Sequence, residues 1–440
     1  MFIGGQLVKL AIQITSQIIA LMIVSIAISG CSKKSDTSQA QGTVSVQIPN
    51  QIDANSYQMY TVNLFEISNL KEVAGKFARF FYSPGSSNSQ LVGSAPQARF
   101  IKSGSVFIPA DVLSAQMATI YYHMQNLAAL DTKAGAAGIN AWPRSIGLET
   151  QIVENDRTRK NNAFYDGMTD SMMFVPFTGS QLPISVNAGI IAHEHFHSLF
   201  FKMVVKPAVT EKKIMNSIVS AHESEVVETK PAKSVNPKTI SEKKKALLFN
   251  EVYLRGLNEG LADFWGWIYT NDPDFMHWSL PVFSEARNLS ISAAAVGHYI
   301  TDEKINDAID DAIQISEQPR LALVDYAYFI GTPHARFLKQ WVQMRMADEK
   351  LSLDDAKMKV AQDVIIYLIE LSKKIGSLEL NETMSADDLF NFFINKQLIQ
   401  KNMSLETCKF AIEYLNYKKP SAKNRIQCET KDEHVVIIQP

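Results

Sequence analysis

Three residues in the segment 190–201 have the types and the spacing to bind a metal ion and use it. The segment reads Ile-Ile-Ala-His-Glu-His-Phe-His-Ser-Leu-Phe-Phe and contains His193, Glu194 and His197 as His-Glu-x-x-His. On a helix, positions four apart lie one turn apart on one face, so both imidazoles can reach a single Zn²⁺ at about 2.0–2.1 Å. Glu194 then lies beside the ion, where a general base for a zinc-bound water belongs. The alternative interpretation is a pair of hydrogen-bonded core histidines.

A third histidine lies between the other two. His195 projects about 200° around the helix from His193, away from the metal-binding face. We therefore expect His195 to pack or hydrogen-bond in the core, and we do not count it as a ligand.

A second segment, 257–267, supplies acidic groups for the same ion. It reads Leu-Asn-Glu-Gly-Leu-Ala-Asp-Phe-Trp-Gly-Trp. Catalytic zinc usually has three protein ligands, and Glu259 can be the third. Asp263 lies one turn further on the same helical face, where its carboxylate can accept the second ring N–H of a ligating histidine. An ordinary exposed acidic face is the alternative, but acids among so many apolar residues are expected to be paired or metal-bound.

Together, the two segments resemble the motifs of the gluzincin metallopeptidases, the thermolysin and fungalysin kind, whose pattern is His-Glu-x-x-His followed by Asn-Glu-x-x-x-Asp. A further match is Asn162-Ala163-Phe164-Tyr165, which is similar to the family's edge strand, and a weaker one is the aromatic helix at 117–124. The resemblance covers about residues 110–270. It implies a thermolysin-like zinc-peptidase core in which Asn162 and Ala163 hold the substrate peptide as an added strand.

One catalytic role of the family has no clean match. A zinc peptidase also needs a donor for the developing oxyanion. The segment 325–336 is similar to a family segment in which a histidine stands shortly before a glycine; aligned on Gly331, Tyr328 takes that place, and His334 is the other candidate. The alternative for either side chain is packing in the core. A second departure is the interval between His197 and Glu259, which is much longer than in thermolysin.

The first thirty residues are predicted to be a targeting signal. Residues 7–29 carry Lys9 as their one charge and end at Ile28-Ser29-Gly30-Cys31. Small residues before a cysteine at the end of an apolar stretch indicate a bacterial lipoprotein signal peptide (1–30), with Cys31 as the lipidated residue. The alternative is an uncleaved transmembrane helix. Under both interpretations the protein is exported and attached to a membrane, in the periplasm or at the cell surface. Residues 31–42 are polar and are predicted to be a flexible tether between the membrane and the folded chain.

Composition limits the remaining possibilities. Apolar residues make up 46% of the 440-residue chain and charged residues 20%, which are globular values. A net charge of −2 offers no general attraction for nucleic acid, and no basic patch interleaved with aromatic residues is found. Apart from Cys31, the chain has only Cys408 and Cys428, which in an oxidising compartment are expected to form a disulfide.

Periodicity divides the mature chain into three regions and predicts an α+β fold. Residues 43–108 alternate with period two and should be β-rich, either as a small domain or as the remnant of a propeptide, with a turn or loop at 83–89. Residues 109–270 form the predicted zinc-peptidase core, interrupted by a lysine-rich mobile insertion at 206–246 that is either a lid or a surface decoration. Residues 271–440 have helical periodicity, and strands segregated from helices indicate α+β.

The sequence therefore predicts a membrane-anchored, zinc-dependent metalloendopeptidase that acts on peptides or proteins, with Glu194 as the general base. Two other functions remain open. The first is an inactive, surface-anchored binding protein that keeps the same scaffold. The second is an amidase acting on cell-wall peptides, for which the same site would serve.

Overall fold

The structure is a computed structural model, and it describes residues 42–53, 56–87, 89–154, 157–179, 182–210, 241–291, 299–316, 318–379, 381–416, 422–431 and 434–438. The predicted signal peptide, Cys31, the tether and residues 211–240 of the insertion lie outside this range, apart from Gly42. Thr43–Pro440 forms one compact unit. Among the described residues, no helix is both long enough and apolar enough to cross a bilayer.

The fold is mixed α+β, with strands concentrated in the N-terminal part and helices in the C-terminal part, as the sequence predicted at this level. The strands are β1 (Gly42–Asp53), β2 (Ser56–Asn69), β3 (Ala74–Gly75), β4 (Ala78–Ser87), β5 (Gln90–Ser94), β6 (Phe100–Ser103), β7 (Val106–Pro109), β8 (Arg144–Leu148), β9 (Val153–Glu154), β10 (Arg157–Thr158), β11 (Ala163–Asp166), β12 (Ser171–Phe174), β13 (Gln427–Lys431) and β14 (His434–Ile438).

Two five-stranded sheets contain most of these strands. The first has the order β3-β2-β1-β7-β6 and the second the order β11-β12-β8-β4-β5. In the second sheet β8 is parallel to both of its neighbours, β4 and β12, whereas β11 and β5 are antiparallel edge strands. The predicted β-rich region 43–108 therefore contributes two strands to the sheet that ends in β11.

The turn or loop predicted at 83–89 is wrong for residues 83–87, which belong to β4, whereas Ser89 lies in a turn just before β5. β4 continues to Ser87 and pairs with β5, and the Ser-Pro-Gly sequence lies in an irregularity of register between Tyr82 and Gly85. Ser83 has a φ of +42° within this irregularity. Turn-forming residues here produce a bulge inside a strand, which bends the strand without ending it.

The helices are α1 (Val112–Ala134), α2 (Ala188–Phe200), α3 (Lys206–Thr210), α4 (Glu242–Thr270), α5 (Pro281–Arg287), α6 (Asp302–Ile315), α7 (Pro319–Ala322), α8 (Tyr326–Glu349), α9 (Leu353–Ser377), α10 (Asp388–Ile399) and α11 (Leu405–Asn416). A π-helix, Phe201–Val205, connects α2 to α3, and 3₁₀ turns occur at Ile184–Val186, Phe275–Trp278 and Ala422–Asn424. Helix α4 is buried along most of its length and packs against both α2 and α8, so it is the central helix of the molecule.

The C-terminal region, predicted to be mostly helical, ends in two strands. After α11, strands β13 and β14 form an antiparallel hairpin. Cys408 of α11 and Cys428 of β13 form the predicted disulfide, which attaches this hairpin to the helix before it. Helix α9 begins after Ser352, whose side chain accepts a hydrogen bond from the Asp355 backbone N–H.

Candidate metal centre

Helix α2 begins at a well-defined cap and is surrounded by other elements. The Asn187 side chain accepts hydrogen bonds from the backbone N–H groups of Gly189 and Ile190, and its amide donates to the Phe275 carbonyl. The two bonds from Gly189 and Ile190 satisfy backbone N–H groups that have no partner within the first turn of a helix. Every residue of 189–200 is buried, so the ligand side chains of this helix are held from all sides.

Three predicted ligand side chains converge on one point. One ligand atom each from His193, His197 and Glu259 lies within 4.8 Å of the other two. The two Nε2 atoms are 2.9 Å apart, and the Glu259 carboxylate lies 3.3 Å from His193 Nε2 and 3.8 Å from His197 Nε2. Two atoms bound tetrahedrally to one Zn²⁺ at the usual distances are about 3.3–3.4 Å apart. The three separations bracket this value, so the side chains fit a common ion. All three residues are 3% exposed.

Asp263 occupies the position predicted for it behind the first histidine. Its Oδ1 lies 3.0 Å from His193 Nδ1, the ring nitrogen opposite the one that faces Glu259. A carboxylate at this position fixes the tautomer of a metal-binding imidazole and leaves Nε2 free to act as a ligand. Glu259 and Asp263 reach the same histidine because they are one turn apart on α4.

Arg287, at the end of α5, completes this arrangement. Its Nη2 and Nε lie 2.5 and 3.1 Å from the two oxygens of Asp263, and Nη2 is 3.8 Å from Glu259 Oε2. The guanidinium also lies 4.4 Å from the ring centroid of Tyr328, within the range of a cation–π contact. Because Arg287 is only 7% exposed, it supplies buried positive charge that offsets the two acids of α4.

The site favours a positive charge on the His193 imidazole. Burial lowers the pKa of His193, but hydrogen bonds to Asp263 and Glu259 outweigh burial and raise it to about 9. Burial raises the pKa of Glu259, but the charges of His197 and His193 hold it well below its usual value, and Arg287 has the same effect on Asp263. An environment that stabilises a proton between these groups also stabilises a metal cation there.

Glu194 and Tyr328 face the same small cleft as the ligands. The cleft has a volume of about 40 Å³, enough for an ion and a few water molecules. Its wall consists of residues from seven elements and two flanking positions, namely Asn162, Ala163, Phe164, Ile184, Ile190, His193, Glu194, His197, Glu259, Met276, Leu280, Arg287 and Tyr328. The predicted edge-strand residues thus lie beside the candidate ligands, and β12 is the one strand of the described part of the chain that pairs with β11. The other edge of β11 can accept an extended peptide.

The alternative oxyanion donor, His334, is not in the site. It is fully buried, its Nδ1 and Nε2 lie 2.8 and 3.2 Å from the carbonyl oxygens of Ile330 and Ala386, and its ring stacks on Phe390. His334 is therefore a packed core residue. His195 is also in the core, as expected, with its Nε2 3.0 Å from Asp131 on α1.

Arg287 is the charged residue of the cleft wall that the sequence did not predict. It lies 24 residues after Asp263, in a region without a motif. The only signal was the charge on α4, because a second buried carboxylate beside a metal ligand requires a cation or a donor of its own. That requirement indicates that a partner exists but does not identify it.

Comparison with known proteins adds no family assignment. No protein-family model matches the chain, and no curated protein matches it.

If the site binds a metal ion, replacing Asp263 by asparagine is expected to weaken that binding about 10- to 100-fold, with Zn²⁺ as the probe, because loss of a carboxylate that orients a ligating histidine has this effect in known zinc sites. Competition with a chromophoric chelator measures the affinity. Asp131→Asn is the matched control, since Asp131 is also buried and bonded to a histidine of α2, but to His195, which faces away from the ligands. Equal weakening in both variants would contradict the assigned role.

Proposed function

We propose that this protein is a zinc-dependent metalloendopeptidase of the gluzincin type, with a thermolysin-like core. The observation that carries the proposal is the convergence of His193, His197 and Glu259 on one point. Glu194 and a free strand edge line the same cleft, which a structural zinc site would not require. A closed structural site usually has four protein ligands, whereas a catalytic site has three and an open position.

In the proposed mechanism, His193, His197 and Glu259 would hold Zn²⁺. Bound there, the ion would supply Lewis acidity, which brings the pKa of a water molecule towards about 7. Asp263 and Arg287 hold the His193 ring in the orientation that presents Nε2. Glu194 accepts the proton of the attacking water and passes it to the leaving amine. Tyr328 donates a hydrogen bond to the oxyanion, and the edge of β11 at Ala163 aligns the peptide.

The proposed location is outside the cytoplasm. The apolar stretch that ends at Cys31, and the disulfide between Cys408 and Cys428, both favour an exported protein. We propose that lipid on Cys31 attaches the enzyme to a membrane and that 31–42 connects the lipid to the folded unit. Peptides or proteins at the membrane surface are then the substrates.

The test combines metal analysis with hydrolysis. We expect about one zinc per chain by elemental analysis, cleavage of casein at internal peptide bonds by mass spectrometry, loss of cleavage with a chelator and recovery on adding Zn²⁺. Cell-wall stem peptides are assayed in parallel, and cleavage of these peptides alone would identify the amidase. A zinc-loaded protein that cleaves neither substrate would contradict the proposal and favour the binding protein.

A further inference from the structure

Helices α4 and α8 touch through their backbones at three glycines. A Cβ atom added to Gly260 would collide with the carbonyl oxygen of Gly331 and lie 2.7 Å from its carbonyl carbon. A Cβ on Gly331 would lie 2.6 Å from the backbone nitrogen of Gly260 and would also collide with the Gly256 carbonyl oxygen. The obstructing atoms belong to main chain, which cannot rotate away as a side chain can.

Close contact between two main chains explains why glycine occurs in the interior of a helix. In the interior of an exposed helix, glycine is less favourable than alanine. Here Gly256, Gly260 and Gly331 lie within long helices and are buried. Their common property is the absence of a side chain, which lets the main chains of α8 and α4 come into direct contact.

This contact lies between two groups of the proposed active site. Glu259 immediately precedes Gly260 on α4. Tyr328 is three residues before Gly331, one turn earlier on α8, and lines the cleft together with the ligands. The Tyr328 ring is also in contact with the guanidinium of Arg287, which bonds Asp263 of α4. The separation of the two helices therefore sets the distance of Tyr328 from the metal ligands.

We propose that Gly260 and Gly331 are positioning residues that hold Tyr328 at hydrogen-bonding range of the oxyanion, and this proposal rests on the peptidase function proposed above. The ligands do not depend on the contact in the same way. Glu259 meets His193 and His197 across the interface of α4 with α2, on another side of α4. Moving α8 outwards thus withdraws Tyr328 and leaves the three ligands together.

The first test is Gly260→Ala. The new methyl group must push α8 away from α4, and a displacement of about 1 Å at a catalytic group can cost roughly 100-fold in rate. We expect kcat to fall by about that factor, while KM and zinc content stay at the wild-type values. Gly135→Ala is the control for general destabilisation, because Gly135 has a φ of +85° at the end of α1, where a side chain is strained but meets no neighbour.

A double-mutant cycle separates positioning from mere destabilisation. Tyr328→Phe removes the donor, so Gly260→Ala should lower kcat by less than about threefold in that background, since coupled residues are not additive. Gly256→Ala replaces Gly260→Ala if the latter does not fold, because its methyl group meets the side chain of Ile330, with Cγ2 at 2.5 Å.

The outcomes that would contradict the positioning role differ from those that would contradict the peptidase function. Additive losses in the cycle, or loss of zinc from Gly260→Ala, would overturn the positioning role while leaving an active peptidase. An inactive, zinc-loaded wild type would overturn the peptidase function, and the positioning role with it.

Discussion

Replacing Glu194 with glutamine is expected to abolish peptide hydrolysis and to leave zinc bound. The amide has almost the same shape as the carboxylate but cannot accept a proton, and Glu194 is not one of the three converging ligands. Loss of a general base typically costs about 10²- to 10⁴-fold in rate. We therefore expect kcat on a fluorogenic peptide to fall into this range, with zinc content unchanged by elemental analysis.

Glu285→Gln is the control for this variant. Glu285 is exposed and lies two residues before Arg287 on α5, so it changes the local charge equally without entering the cleft. Its activity should match that of the wild type. Glu194→Gln activity within tenfold of the wild type would show that another group accepts the proton, and zinc loss would show that Glu194 is itself a ligand.

Replacing Glu259 with glutamine is expected to have the largest effect on the metal. An ionised carboxylate is removed from a buried set of three ligands, and a neutral amide oxygen is a poorer ligand for Zn²⁺. Because loss of an outer hydrogen-bond partner alone costs about 10- to 100-fold in affinity, loss of a ligand should cost more than about 100-fold. Activity at limiting zinc should disappear in parallel.

Glu251 on the same helix provides the matched control. It is 8% exposed, lies two turns before Glu259 and pairs with Arg320 at 2.8 Å, away from the cleft. Glu251→Gln removes a buried carboxylate from α4 in the same way and should leave zinc affinity unchanged. If the two variants lose zinc equally, the loss reflects disruption of α4 and Glu259 is not a ligand.

The ligand set could be read from the sequence because each half of it depends only on helical geometry. His193 and His197 share a face at a spacing of four, and so do Glu259 and Asp263. The meeting of the two pairs required one further assumption, that both apolar helices face each other. The choice between Tyr328 and His334 could not be made in this way. Six residues separate them, about 240° around one helix, so only one can face the cleft, and packing decides which.

Other features follow from tertiary contacts that local patterns do not encode. Arg287 is recruited by the buried acids of α4 from a distant short helix. The segment around Ser83 has the composition of a loop, yet the neighbouring strands β8 and β5 provide hydrogen bonds on either side of a bulge, and these bonds keep the segment in the sheet. The hairpin β13–β14 is likewise stabilised by its attachment to α11.

The place of β4 in its sheet has a consequence for maturation. β4 lies between β5 and β8, and β8 in turn supports β12 and the substrate edge at β11. Removal of residues 43–108 would leave β8 as an unpaired edge strand. Exposed edge strands promote aggregation because they pair with strands of other chains. Unlike a zymogen, whose leading segment is discarded to release a finished enzyme, this chain is expected to retain residues 43–108, because they contribute β4 and β5 to the sheet that ends in β11.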